Sequence, residues 1–373
     1  MLNKRVQTEI DTFYSKVFNL PDAIRKVSAS AFTQCRDKIL FTAFLEVHRS
    51  LISYYYKHFR INKFHGYRVI AIDGSVFTLP KTKDMITEFG ENVLSEHGKW
   101  LKAKVSFAAD VLNNICVEAQ IGAYKSSETA QAKDLINQLG NNNLYLFDRG
   151  YFTWDFFESV VESGCQYCFR VKRNACQDVI SFVCSQYKNK WVDITTPSGL
   201  IVKVRLAKVL LPSGEEEYLL TSLLDEKQFS LNKLKHLYHL RWGVEEQFKD
   251  IKHAISMENF TGKKVNSVKQ EFYANILTYN LAMMMCKPII DKQIHKNKKR
   301  TYTYKTNKRA LLAKIKQCFV SLFYEPDIIL YTLNQMIKVV ALESVPIRKG
   351  RRYKRSKTYK AKLKFTRSYT PVI

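Results

Sequence analysis

Hydrophobic and polar positions change their period several times along the chain, and each change marks a predicted element. Tyr67-Arg-Val-Ile-Ala-Ile-Asp-Gly-Ser is a β-branched run that reads as a strand stopping at Asp73-Gly74. Lys102 to Tyr124 alternates in two runs joined at Asn113-Asn114, the pattern of a β-hairpin. From Ser127 to Leu139 the period lengthens to that of a helix, with Ser127 as its N-cap. Leu144-Tyr-Leu-Phe-Asp-Arg-Gly is another apolar strand, ending at Asp148-Arg149-Gly150. A helix over Thr153 to Glu162, closed by Gly164, and a strand over Gln166 to Lys172 follow.

The longest helical pattern lies further on, from about Ser230 to Ser256, around Tyr238 to Lys252. Helical spacing puts Leu237, Leu240, Val244, Phe248, Ile251 and Ile255 on one side, the predicted core face. Tyr238, Arg241, Glu245 and Lys252 share a second stripe along the rim of that core. His239, Trp242, Glu246, Lys249, Asp250 and His253 take the solvated side. A carboxylate with an Arg one turn before it and a Lys two turns after it suits a site for a metal ion and a phosphate. The alternative is the ordinary exposed face of a basic helix. Asp73 and Asp148, each at a predicted strand's exit, favour the site. Strand, hairpin, helix, strand, helix, strand and then, after an insertion, a helix carrying Glu245 is the order of a ribonuclease-H-like α/β fold.

The insertion spans about 173–224, where Pro197-Ser198-Gly199 and Pro212-Ser213-Gly214 are turn signals. They separate predicted strands Trp191 to Thr195, Leu200 to Leu211 and Glu217 to Leu223, a small antiparallel meander. Residues 1–66 read as a helical N-terminal region. Ser28 or Ser30 opens a helix there that turns Gln34, Arg36 and Lys38 to solvent, either to read a DNA major groove with Gln34 and Arg36 or simply as a polar face. The catalytic region is expected over 67–286. Residues 287–345 begin with a basic connector, 287–308, and continue with helical spacing from Arg309 to Val345 broken at Glu325-Pro326-Asp327. Residues 346–373 contain a run of Lys and Arg with no acid from Arg348 to Arg367, expected to stay disordered until a polyanion is supplied.

Charge then narrows the partners. Sixty Lys and Arg against 34 Asp and Glu give a formal charge of +26 over 373 residues, which suits a polyanion such as nucleic acid. A membrane surface is the competitor, but no secretory signal is seen and the best apolar run, Ile276 to Cys286, is too short to span a bilayer. Eight cysteines at irregular spacing suggest reduced thiols in a cytosol, and Cys165-x2-Cys168 is a weak zinc candidate. No phosphate-binding G-x-x-x-x-G-K-[ST] loop, H-E-x-x-H pair or nucleophile elbow is present, so nucleotide hydrolysis, zinc proteolysis and serine hydrolysis have no support.

The spacing Tyr238-x2-Arg241-x3-Glu245-x6-Lys252 resembles, position for position, the Y-x2-R-x3-E-x6-K signature of a large family of bacterial insertion-sequence transposases, the insertion-sequence-four type. Asp73-Gly74-Ser75 with Leu79-Pro80, and Asp148-Arg149-Gly150-Tyr151, resemble that family's two aspartate motifs. The resemblance runs over about 28–285. It implies a DDE transposase in which Asp73, Asp148 and Glu245 hold two Mg²⁺ ions about 4 Å apart, with Mn²⁺ able to substitute. It implies that Arg241 and Lys252 neutralise phosphates, that Tyr238 donates to another phosphate oxygen and that Arg149 lies on the DNA side. An aromatic residue of the insertion, with Trp191 the candidate, would stack on an extruded base. The implied partners are double-stranded DNA at the element's ends and in the target, and a second copy of the chain. The implied location is the bacterial cytoplasm, with the nucleoid. A nuclease of the same fold that does not join DNA, and a DNA-binding derivative without catalysis, are the alternatives.

Overall fold

The structure is a computed structural model that describes residues 6–21, 25–94, 98–211, 214–296, 302–324, 327 and 329–348. In chain order the elements are helices α1 (Val6–Phe18), α2 (Ala29–Asp37) and α3 (Thr42–His58), strand β1 (Arg68–Thr78), helix α4 (Lys83–Phe89) and strands β2 (Asn92–Leu94), β3 (Gly98–Trp100), β4 (Lys102–Asp110) and β5 (Ile115–Ala123). Then come α5 (Glu128–Leu139), β6 (Asn143–Phe147), α6 (Trp154–Glu162), β7 (Gln166–Val171), α7 (Gln177–Cys184), β8 (Asn189–Thr195), β9 (Ile201–Leu210) and β10 (Glu216–Thr221). The remainder is helical apart from one small hairpin: α8 (Leu231–His239), α9 (Trp242–Lys249), a π-helical turn Asp250–Ala254, α10 (Val265–Lys296), β11 (Thr303–Lys305), α11 (Lys308–Tyr324), α12 (Ile329–Leu342) and β12 (Val345–Ile347). The chain divides into two compact units. One comprises Tyr56–Val76 and Lys104–Phe248, the other Met1–Tyr55, Phe77–Ala103 and Lys249–Ile373.

The first unit is built on a mixed eight-stranded sheet in the order β5-β4-β1-β6-β7-β10-β9-β8. Its centre is parallel: β1 pairs with β6 and β6 with β7. All five residues of β6 are buried, as a central parallel strand must be. The hairpin β4–β5 forms where alternation predicts it, and Asn114 takes the left-handed conformation, φ 57°, that its turn demands. Ser127 caps α5 by accepting from the Ala130 amide. On one side of β6 and β7, Phe147, Phe156, Phe157, Tyr167 and Phe169 form a continuous ring cluster, with Phe147 and Phe169 stacked 4.6 Å apart.

Three expectations change. The meander of the insertion exists, β8 to β9 to β10, but it is no separate unit. β10 pairs antiparallel with β7, from Tyr218 opposite Val171 to Thr221 opposite Cys168, so the insertion extends the main sheet. The physical reason is that β7 would otherwise leave a row of unpaired backbone groups at a sheet edge. Strand β1 does not stop at Asp73 but runs on to Thr78. The long helix is broken. α8 ends at His239, and the Leu240 and Arg241 amides bond three residues back, to the Leu237 and Tyr238 carbonyls, at 3.1 and 3.0 Å. After this tightened joint α9 starts afresh, and past Lys249 it widens into the π-helical turn.

The second unit is mainly helical. α10 runs through Lys296, beyond the Cys286 expected from its pattern, and buries Val268, Phe272, Ile276, Tyr279 and Met283. Buried His48 and Asn280 meet at 2.8 Å. Of the break expected at Glu325-Pro326-Asp327, Glu325 and Pro326 lie outside the described residues. No helix among the described residues is long and apolar enough to cross a membrane. The basic run from Arg348 lies, past that residue, outside the described residues.

Candidate active site

The parallel register of β1 and β6 sets the first two acids. Ala71 lies opposite Leu146, and two residues further along each chain come Asp73 and Asp148. Asp73 Oδ1 accepts from the Gly74 amide at 2.9 Å. The glycine after it has a reason: a Cβ there would stand 3.2 Å from Glu128 Cδ at the start of α5. Asp148 sits in the turn after β6, where the Tyr151 amide donates to its carbonyl at 3.0 Å.

The third acid arrives on α9. Glu245 lies in that helix's first turn, the end where the helix dipole favours a carboxylate. Arg241, in the joint between α8 and α9, ties it to the sheet. The guanidinium donates from Nη2 to Glu245 Oε1 at 3.0 Å and stands 3.9 Å from Asp73 Oδ2. Tyr238 reaches the remaining acid, its hydroxyl donating to Asp148 Oδ1 at 3.4 Å. The structure thus gathers Asp73, Asp148, Glu245, Tyr238 and Arg241 in one unit. As they stand, no three His, Cys, Asp or Glu side chains among the described residues are close enough to hold one ion. Arg241 holds the place between Asp73 and Glu245 with its own positive charge.

Electrostatics agree with crowding of like charges. Asp73 is pushed up to about 6, first by burial, with Glu245 and Asp148 adding and Arg241 and the Gly74 amide opposing. Burial would lower Arg241, but Tyr238, Asp148, Asp73 and Glu245 outweigh it and hold it above its ordinary value. Burial raises Tyr238 strongly. The donor set fits a hard divalent cation, since it offers carboxylate oxygens alone and a cation would relieve their mutual repulsion.

Tyr238 and Arg241 are only 2% and 3% exposed, so both face the acids rather than an outer phosphate as their stripe suggested. Lys252 belongs to the other unit, where Nζ lies 4.6 Å from the Phe77 ring centroid, and burial lowers its pKa with Glu258 opposing. Arg149 is exposed. Trp191 stands on β8, the sheet's edge strand, 41% exposed, opposite Arg205 and held by a bond from Nε1 to the Leu224 carbonyl at 3.0 Å. Gln34 is exposed on α2. Arg36 is not a groove reader as placed: its guanidinium bonds Gln270 at 3.0 Å, Glu271 at 3.0 Å and the Ser267 carbonyl at 2.8 Å. Cys165 and Cys168 are buried free thiols, Cys165 beside Ser163 Oγ at 3.0 Å.

Pattern reading missed Arg170 and Glu217. Arg170 on β7 lies 3.9 Å from Asp148 Oδ1 and 3.2 Å from Glu217 Oε1 on β10. Burial raises the Glu217 pKa, with Arg170 opposing. The available signal was one Arg within the apolar run Tyr167-Cys-Phe-Arg-Val, where a charge needs a partner.

Residues 64–281 match the family described as "Transposase DDE domain". Over 232 residues the chain is 27% identical to "Transposase InsG for insertion sequence element IS4" of Escherichia coli (strain K12), covering 58% of this chain and 51% of that protein. It therefore spans about half the length of the curated relative it matches. Among solved structures, the cryo-EM structure of the piggyBac transposase synaptic complex with hairpin DNA superposes with a TM-score of 0.45 at 11% identity, covering 85% of this chain and 64% of that one. With more than half of its length inside the matched region, the chain belongs to the Transposase DDE domain family.

Proposed function

We propose that the chain is a DNA transposase that cuts phosphodiester bonds at the ends of its own insertion sequence and transfers the 3′-OH ends to target DNA. The observation that carries this is the placement of Asp73 on β1 and Asp148 in the turn past β6, each two residues beyond the parallel pair Ala71–Leu146, with Glu245 linked to Asp73 through Arg241. The sheet order β5-β4-β1-β6-β7, parallel from β1 to β7, supports a ribonuclease-H-like core. The matched span 64–281 supports a catalytic region over 67–286, with 1–66 as a helical end-binding region, 287–345 as a helical extension and 346–373 as a non-specific DNA arm. The charge of +26 supports double-stranded DNA as the partner, and two ends to be joined imply a second copy of the chain on the DNA, in a bacterial cytoplasm.

Asp73, Asp148 and Glu245 would hold Mg²⁺, or Mn²⁺ in its place. When bound, such cations make an attacking oxygen nucleophilic and stabilise the leaving oxygen of an in-line displacement. The chain's own residues do the rest. Arg241 keeps Asp73 and Glu245 together before the acids are loaded, and its guanidinium supplies positive charge beside the scissile phosphate. Tyr238 orients Asp148 through its hydroxyl, and Arg170, held by Glu217, backs the same carboxylate. Trp191, fixed at Nε1 on the sheet edge, offers a ring to an unpaired base. Exposed Arg149 lies on the DNA side, Lys252 neutralises a phosphate, and exposed Gln34 on α2 reads a major groove.

The test is strand transfer. Full-length protein with Mg²⁺ and a precut DNA end, taken from the sequence flanking its own gene, is expected to give a joined product in a target plasmid. Cutting of uncut ends without any joining would instead identify a nuclease of the same fold.

A further inference from the structure

Strand β1 runs on past Asp73 to Thr78, and the added length presents an aromatic ring that is fixed on several sides. Phe77 is fully buried and meets Phe272 of α10 edge-on, with centroids 6.3 Å apart. The next residue is tied down as well, since the Thr78 amide donates to Glu258 Oε1 at 3.1 Å. Against this ring stands Lys252 of the π-helical turn, its Nζ 4.6 Å from the ring centroid. Phe77, Thr78, Lys252, Glu258 and Phe272 all belong to the same unit. Lysine stems commonly lie along apolar surface while the charged head stays in water. Here the head itself lies over the ring, and the residue is half-buried. An ammonium in that position is attracted by the ring quadrupole, more strongly as water is withdrawn.

We infer that Phe77 is a positioning residue for Lys252: its ring face seats the ammonium at one place, where it meets a phosphate oxygen of the DNA backbone. The inference rests on the reading of Lys252 as a phosphate contact. A ring attracts the cation but carries no formal charge, so it does not neutralise the ammonium as a carboxylate would. A lysine on a flexible four-carbon stem loses side-chain freedom when it binds an anion, and a lysine already seated loses less. Glu258 serves the same arrangement from behind, by fastening the end of the strand that carries the ring.

The experiment measures binding of the full-length protein, in chelator, to DNA flanking its own gene, with mono-, di- and trifluorophenylalanine placed in turn at position 77. Fluorine weakens the negative ring face stepwise while nearly keeping the ring's shape, so a ring that only fills space would show no trend. The same series is run in Lys252→Met. Each added fluorine is expected to weaken binding, by roughly two- to thirtyfold over the series, and Phe77→Leu should match the last step. In Lys252→Met the series should be flat. Affinity that stays level or rises with fluorine in the parent would overturn the inference, as would an equally steep series in Lys252→Met; either leaves Lys252 as a phosphate contact if Lys252→Met itself binds more weakly. Lys252→Met binding as tightly as the parent would overturn both.

Discussion

Asp73 shows how a partly buried carboxylate costs stability. Its pKa in the folded chain, about 6, lies above the ordinary 3.8, chiefly through burial. The folded state therefore holds its proton more tightly than the unfolded state does. This group's favourable contribution is complete below about pH 4 and is lost as pH rises through 6. Asp73→Asn should accordingly be more stable than the parent at pH 7 in chelator, by up to about 3 kcal/mol, with the gain shrinking towards pH 4. Thermal melts of both proteins across that range check it, and an equal difference at pH 4 and pH 7 would contradict the assigned cause. At this scale the gathering of Asp73, Asp148 and Glu245 in one unit was legible because motif spacing survives any fold. Arg36 was not, since the groups that claim its guanidinium, Gln270, Glu271 and the Ser267 carbonyl, lie more than 230 residues away in sequence.

The helix that carries Glu245 is the element on which the site turns. Its apolar pattern predicted one continuous helix, and the residues it assigned to the core are indeed buried: Leu237, Val244, Phe248, Ile251 and Ile255. Leu240, at the joint, is only half-buried. The pattern concealed two breaks because their effects on phase oppose each other, a three-residue step at Leu240–Arg241 and a π-helical widening at Asp250–Ala254. Gly243 fixes where α9 sits. A Cβ there would stand 3.1 Å from Val111 Cγ1 in the β4–β5 turn. Gly243→Val should cost about 1–3 kcal/mol by overpacking, and Val111→Ala should recover much of that loss. Urea unfolding of the two single variants and the double variant measures the coupling, and strictly additive costs would show that the close approach does not position α9. The hairpin and the Ser127 cap were legible because they depend on local turn and cap chemistry. Pairing of β10 with β7 was not, since strand partners some 50 residues apart leave no periodic trace.

Taken whole, the chain couples a strongly basic polypeptide to a small group of acids that its own Arg241 partly neutralises. The net charge is +26, while Asp73 lies on β1, Asp148 in the turn past β6 and Glu245 on α9. The mixed α/β architecture was readable from the order of elements; the division into two interleaved units was not, because each is assembled from separated segments. The central claim is that Asp73, Asp148 and Glu245 act together on DNA. The most direct measurement is Mg²⁺-dependent cleavage of end DNA by the parent and by Asp73→Ala, Asp148→Ala and Glu245→Ala, with binding followed in parallel by gel shift. Each variant is expected to bind the DNA and leave it uncut, and cleavage persisting at the parental rate in any of the three would contradict the account.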